Sequence, residues 1–151
     1  MQGELTGGCL CGAVRYMLRE GVRFRPYACH CTDCQSRTGS AFSEHMLFVR
    51  QDMAVEGELD SGAYQQPSGA SSTLWGCSIC KVRLFAENST RPGLASLRCG
   101  TLDRSAEVVP AAHLWVGSKQ EWITIPNGVP AIAEQPRTPA EWMELVGPVS
   151  N

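Results

Sequence analysis

Seven of the eight cysteines in this chain fall into tight groups, Cys9-x-Cys11, Cys29-x-Cys31-x-x-Cys34 and Cys77-x-x-Cys80, leaving Cys99 alone. An extended strand sends alternate side chains to the same face, so a C-x-C pair aims both sulfurs at one point. A C-x-x-C pair does the same through a tight turn, and both spacings suit zinc. Cys9 and Cys11 joined to Cys77 and Cys80 would make a closed tetrahedral site that staples the two halves of the chain. The remaining group, CHCTDC over residues 29–34, then stands one ligand short. Four protein ligands usually make a structural zinc, whereas three leave a position where chemistry can happen. Cys99, His30, His45 or His113 could supply the fourth ligand and close the site, or the position could be open. His30, between two ligands, should point to the opposite face from them and take a hydrogen bond or solvent. Cys99, in an apolar stretch, reads as a small buried hydrophobe.

Three thiolates more than neutralise a zinc dication, so water at such a site should be less acidified than at a histidine-rich one. The H-E-x-x-H helix and the H-x-E…P-C-x-x-C pattern of zinc deaminases are both absent from the sequence. A soft ligand is the better match, because a thiol that coordinates zinc is deprotonated outright. Acid or base candidates near the three-cysteine group are His30, Asp33, Glu44 and His45, while Arg37 and Ser40 could bind a substrate carboxylate. No spacing selects among them. Asp33 equally suits capping a short turn, Glu44 and His45 suit a solvent-facing strand, and Trp75, Trp115, Trp122 and Trp142 suit core or rim positions.

The elements that must position these residues are mostly strands. At 151 residues and 43% hydrophobic content, the chain predicts one domain, residues 1–151, with its own core. Short apolar runs bounded by Gly, Pro, Asn or Ser predict strands over 13–18, 44–49, 53–59, 72–76, 82–87, 94–99, 113–117 and 121–126. The polar, Gly/Ser-rich stretch 61–72 predicts a mobile surface loop. A helical turn is expected from Thr32 to Thr38. Thr138-Pro139-Ala140-Glu141 matches a capping box with proline at the first helical position, and Trp142, Leu145 and Val146 follow at helical spacing, so a C-terminal helix should dock on the core. A formal net charge of −2 without basic blocks gives no footprint for nucleic acid. The start MQGELTGG lacks a basic segment with an apolar run, and no stretch approaches the ~18 apolar residues of a membrane span. These features predict a cytoplasmic protein with no membrane partner, in a compartment where clustered cysteines bind metal rather than form disulfides.

The strings GGCLCGAVRY (7–16), CHCTDCQSRTGSAF (29–42), GCSIC (76–80), CGTLD (99–103) and PAAHLWVGSKQEW (110–122) together resemble the glutathione-dependent formaldehyde-activating enzyme family, also called the centromere protein V family. The resemblance runs in order from about Gly7 to Pro136. It implies a mainly β, Mss4-like zinc-binding fold with a structural zinc on Cys9, Cys11, Cys77 and Cys80. It implies a second, catalytic zinc on Cys29, Cys31 and Cys34. The activity implied is that of a carbon–sulfur lyase condensing a small-molecule thiol, glutathione, with formaldehyde to give S-hydroxymethylglutathione. Two rival readings keep the zinc: an enzyme acting on another small electrophilic adduct, and a non-catalytic, zinc-stapled binding module. One departure from the family pattern is Lys81, where glycine usually follows the last cysteine; a glycine there commonly serves a turn with positive φ.

Overall fold

The computed structural model describes residues 1, 3–66 and 68–150. In chain order its first elements are β1 (Leu5–Gly8), β2 (Arg15–Leu18), β3 (Val22–Arg23), β4 (Tyr27–Cys29), α1 (Thr32–Thr38), β5 (Ser43–Val49) and β6 (Met53–Glu56). They are followed by β7 (Leu59–Gln65), β8 (Ser71–Cys77), β9 (Arg83–Asn88), β10 (Leu94–Arg98), β11 (Ala112–Leu114), β12 (Ala131–Ile132), α2 (Pro139–Val146) and β13 (Val149–Ser150). The mainly β architecture with short helical turns and a C-terminal helix is the one the sequence predicts. No helix among the described residues is long and apolar enough to cross a membrane.

Eight strands form one sheet in the order β12-β11-β4-β5-β10-β9-β8-β7, and β1, β2 and β6 form a second, three-stranded sheet. Strand alternation sorts the large sheet into two faces. Met46 and Phe48 of β5, Phe85 of β9 and Ala95 and Leu97 of β10 join Leu5, Tyr16 and Leu18 of the small sheet in the main core. The other face carries Cys29, His45, Leu47, Ser96 and Arg98, which the antiparallel registers place in neighbouring rows. Part of that face is covered by α2, whose Trp142 and Val146 pack with Tyr27, Leu47 and Leu114 in a second core.

Helix α2 begins as its sequence requires. The Thr138 hydroxyl accepts the Glu141 N–H at 3.2 Å, and the Glu141 carboxylate accepts the N–H of Arg137 at 2.6 Å. Its far end is held by Arg25, whose guanidinium donates to the carbonyls of Met143, Glu144 and Gly147 at 2.6, 2.8 and 2.9 Å. The Glu144 carbonyl is one the helix leaves unpaired, the Met143 carbonyl also accepts the Gly147 N–H at 3.1 Å, and the positive charge suits the C-terminal end of the dipole.

Two expectations fail for identifiable reasons. Residues 61–65 of the expected loop belong to β7, which pairs with β8 over seven positions; its polar residues are tolerated because an edge strand is exposed on both faces. Pro67, within the same expected loop, lies outside the described residues. Residues 121–126 form no strand, and Trp122 is 71% exposed. The run turns on itself instead, the Ile123 N–H donating to the Gln120 carbonyl at 3.1 Å, and β11 is already paired with β4 on one side and β12 on the other.

Candidate functional site

The cysteines come together in the two groups that their spacing suggests. The sulfurs of Cys9, Cys11, Cys77 and Cys80 lie within 4.8 Å of one another, and those of Cys29, Cys31 and Cys34 do the same. Four sulfurs around a zinc at ~2.3 Å stand about 3.8 Å apart at the corners of a tetrahedron. The Cys9–Cys11 and Cys11–Cys77 separations are 3.5 and 3.8 Å, and Cys29–Cys31 is 3.5 Å. The donor sets therefore fit zinc. Backbone N–H groups of Val14, Ile79 and Cys34 donate to the sulfurs of Cys9, Cys77 and Cys31 at 3.2, 3.3 and 3.3 Å, a pattern that favours thiolates.

The first group sits where the β1–β2 turn meets the β8–β9 turn. Gly76 is needed there, because a Cβ at that position would stand 2.8 Å from the Val82 carbonyl oxygen. Lys81 occupies the position where the family pattern has glycine, and it adopts φ 60°, so the left-handed turn survives the substitution. Its ammonium bonds the Asp60 carboxylate at 2.7 Å.

The three-cysteine group is built from the end of β4 and the first turn of α1. Cys31 is itself the N-cap, its sulfur accepting the Cys34 N–H, so Asp33 lies in the first turn without being the cap. Gln35 donates to the carbonyls of His30 and Ser118 at 2.8 and 2.9 Å, and the Ser118 hydroxyl donates to the His30 carbonyl at 3.0 Å. The backbone of the claw is thereby tied to the segment after β11. Hydrogen bonds from Cys29 and Cys34 hold the Cys31 thiol far below its ordinary range, while sharing with Cys31 pushes the Cys29 thiol far up. Three sulfurs this close cannot all ionise without a cation between them.

Among the described residues, no fourth His, Cys, Asp or Glu joins these three within the same span. His30 is fully buried and shares a 2.9 Å hydrogen bond with His113, on the side away from the sulfurs. Cys99 is fully buried in the main core, where desolvation pushes its thiol upward. His45, expected on a solvent-facing strand, is instead buried: its register partners on both sides, Tyr27 and Arg98, enclose it. Its Nε2 is 3.7 Å from the Cys34 sulfur, and burial holds its pKa well below the ordinary value. Glu44 alternates to the other face, half-buried, with its carboxyl pushed up by desolvation.

The open side of the claw faces a cleft of about 940 Å3 lined by Cys29, Cys31, Cys34, Asp33, Arg37 and His45 at one end. Tyr64, Ser72, Arg83, Ala86 and Asn88 continue its floor along the sheet, and Arg91, Trp115, Arg137 and Trp142 stand on its walls. Ser40 is not part of the lining. Sequence reasoning missed Arg83, Arg91 and Arg137. Of the four tryptophans, Trp142 is buried, Trp75 and Trp115 are half-buried and Trp122 is exposed, outside the cleft lining.

No protein with a curated description matches the chain. Among solved structures, a crystal structure of a Rhodobacter sphaeroides protein, a structural genomics target, is 22% identical, with a TM-score of 0.49, covering 70% of this chain and 97% of its own. The family model for the glutathione-dependent formaldehyde-activating enzyme matches residues 4–118, which hold both cysteine groups and most of the cleft floor, and the chain belongs to that family.

Proposed function

We propose that this protein is a zinc-dependent enzyme of the carbon–sulfur lyase type that joins a thiol, nominally glutathione, to formaldehyde, giving S-hydroxymethylglutathione. The observation that carries this reading is the three-sulfur claw at one end of a cleft, without a fourth ligand among the described residues. In this reading Cys9, Cys11, Cys77 and Cys80 hold a structural zinc, and Cys29, Cys31 and Cys34 hold a catalytic one. Zinc bound at the claw supplies a Lewis acid that keeps a substrate thiol ionised near neutral pH.

The chain's own residues do the rest. Gln35 and Ser118 fix the backbone of the claw, so that the three sulfurs need no reordering when the substrate arrives. Trp115 and Trp142 narrow the cleft and limit the water around the reacting sulfur. In the addition, the sulfur pair forms the bond to the aldehyde carbon and the carbonyl π pair moves to oxygen. The proton given up by the thiol is matched by one delivered to that oxygen. Asp33 and His45 are the acidic and basic side chains that share the cleft end with the claw, whereas Glu44 is turned away.

The test is the rate at which glutathione and formaldehyde approach equilibrium at fixed pH, followed by exchange NMR. Zinc-loaded protein should speed it. An unchanged rate with both sites filled refutes the reading, and activity on an electrophilic adduct without any thiol would favour the alternative enzyme.

A further inference from the structure

The cleft brings together arginines that, among the described residues, no carboxylate pairs with. Arg37, Arg83, Arg91 and Arg137 line it, and Arg98 stands on the same sheet face opposite His45. The ion pairs among the described residues use Arg15, Arg19, Lys81 and Arg104, and none of these five. The Nε atoms of Arg83 and Arg98 are buried with no hydrogen-bond partner. Burial, and then the nearby charge of Arg98, bring the Arg83 guanidinium down to about 10. A buried charge without a partner is costly, so proteins pair such groups or reserve them for a ligand.

The cleft also holds the carboxylates of Asp33, Glu87 and Glu134, and among the described residues none of them forms an ion pair with these arginines. Of the cleft's carboxylates, Glu87 is engaged by the Trp75 indole at 2.7 Å rather than by an arginine. Farther along the wall, the Arg91 guanidinium lies over the Trp142 ring at 4.3 Å, which fixes its plane without using its hydrogen-bond donors.

We propose that Arg83 and Arg91 form a carboxylate-recognition subsite that makes the cleft selective for thiols carrying carboxylates over neutral thiols. Guanidinium forks match carboxylates in paired hydrogen bonds, so two of them in the same cleft as the claw would read the acidic ends of a peptide-like thiol while its sulfur meets the cysteines. The subsite rests on the proposed thiol chemistry for the claw, since sulfur and carboxylate occupy two parts of one cleft. Arg83 and Arg91 lie inside residues 4–118, whereas Trp142, which holds Arg91, lies beyond them.

The test separates the subsite from the reaction. S-methylglutathione, which keeps both carboxylates but has no ionisable thiol, is titrated calorimetrically into zinc-loaded protein beside its diethyl ester. The acid should bind at least tenfold more tightly than the ester. Arg83→Met and Arg91→Met should each weaken binding of the acid tenfold or more and bring the acid-to-ester ratio towards one, with Arg83→Lys keeping part of the preference. Equal binding of acid and ester by the parent protein, or an unchanged ratio in folded variants, overturns the proposal. If Arg83→Met loses its thermal transition, the Arg91→Met ratio decides. Acid-selective binding without faster glutathione–formaldehyde exchange keeps the subsite and removes the proposed reaction. Faster exchange that is equal for glutathione and its diethyl ester keeps the reaction and removes the subsite.

Discussion

Opening each cysteine group in turn tests whether they divide structure from chemistry. Cys80→Ser breaks a site that joins the β1–β2 turn to the β8–β9 turn, bringing Cys11 and Cys77, 66 positions apart, to 3.8 Å between sulfurs. Cys9 and Cys77 lie in the main core and Cys80 packs against it, so a loosened turn also lets water reach that core. Cys34→Ser breaks a site contained within residues 29–34, a loop about thirteen times shorter. At ~0.6 kcal/mol per doubling of loop length, chain entropy alone makes the first restraint worth ~2 kcal/mol more. The bound metal widens the difference, because structural zinc can supply on the order of 10 kcal/mol to folding in a domain whose total stability is ~5–15 kcal/mol. Taking ~2–4 °C per kcal/mol for a chain of this size, Cys80→Ser should unfold the protein or lower its melting temperature by ~10 °C or more. Cys34→Ser should lower it by less than ~8 °C while removing one zinc and the activity. Calorimetry and elemental analysis on the same samples read both effects. A folded, active Cys80→Ser beside an unfolded Cys34→Ser reverses the assignment and makes the residue 29–34 group the staple.

Two further outcomes are expected. Protein purified without chelator should carry two zinc ions per chain, and a chelator titration should remove one faster than the other, since a three-ligand site gives up metal more readily than a four-ligand one; one ion per chain, or equal release rates, contradicts the division. The buried His30–His113 pair should make stability fall in mild acid. Burial holds both rings below their ordinary pKa, so the stability they contribute is complete above about pH 6.5 and is lost as the pH drops further, because the unfolded chain then binds protons the folded one refuses. At saturating zinc, the stability gap between the parent protein and His113→Asn should therefore narrow by on the order of 1 kcal/mol between pH 7.5 and 5.5, and a constant gap rules the account out.

Features written in a few adjacent residues were legible from the sequence, and features made by distant ones were not. The capping signal of α2 acts within Thr138 to Glu141, alternation from β4 into the N-cap aligns Cys29 with Cys31, and Cys9 with Cys11 and Cys77 with Cys80 are each paired by a tight turn, so these local grips could be read directly. Strand β7 was not legible, because its stability comes from pairing along the whole length of β8 and not from its own polar side chains. His45 read as exposed because its burial is produced by Tyr27 and Arg98 on neighbouring strands. The arginines carry no spacing at all. An arginine becomes a site residue when no carboxylate stands near it, and that is a property of its neighbours in space.

The cysteines and most of the cleft lining come from one stretch of chain, and a smaller part of the lining comes from another. Both cysteine groups lie inside the family-matched residues 4–118, whereas Arg137 and Trp142 lie beyond them. That outer stretch is nevertheless rigidly placed. Trp142 meets Tyr27 edge-on at 5.6 Å, two positions before the first sulfur of the claw, and Arg25 holds three carbonyls at the end of the same helix. If the proposed thiol chemistry holds, substitutions on the cleft side of α2 should therefore change which thiol is accepted while the strand, turn and hydrogen bonds that fix the three sulfurs stay in place.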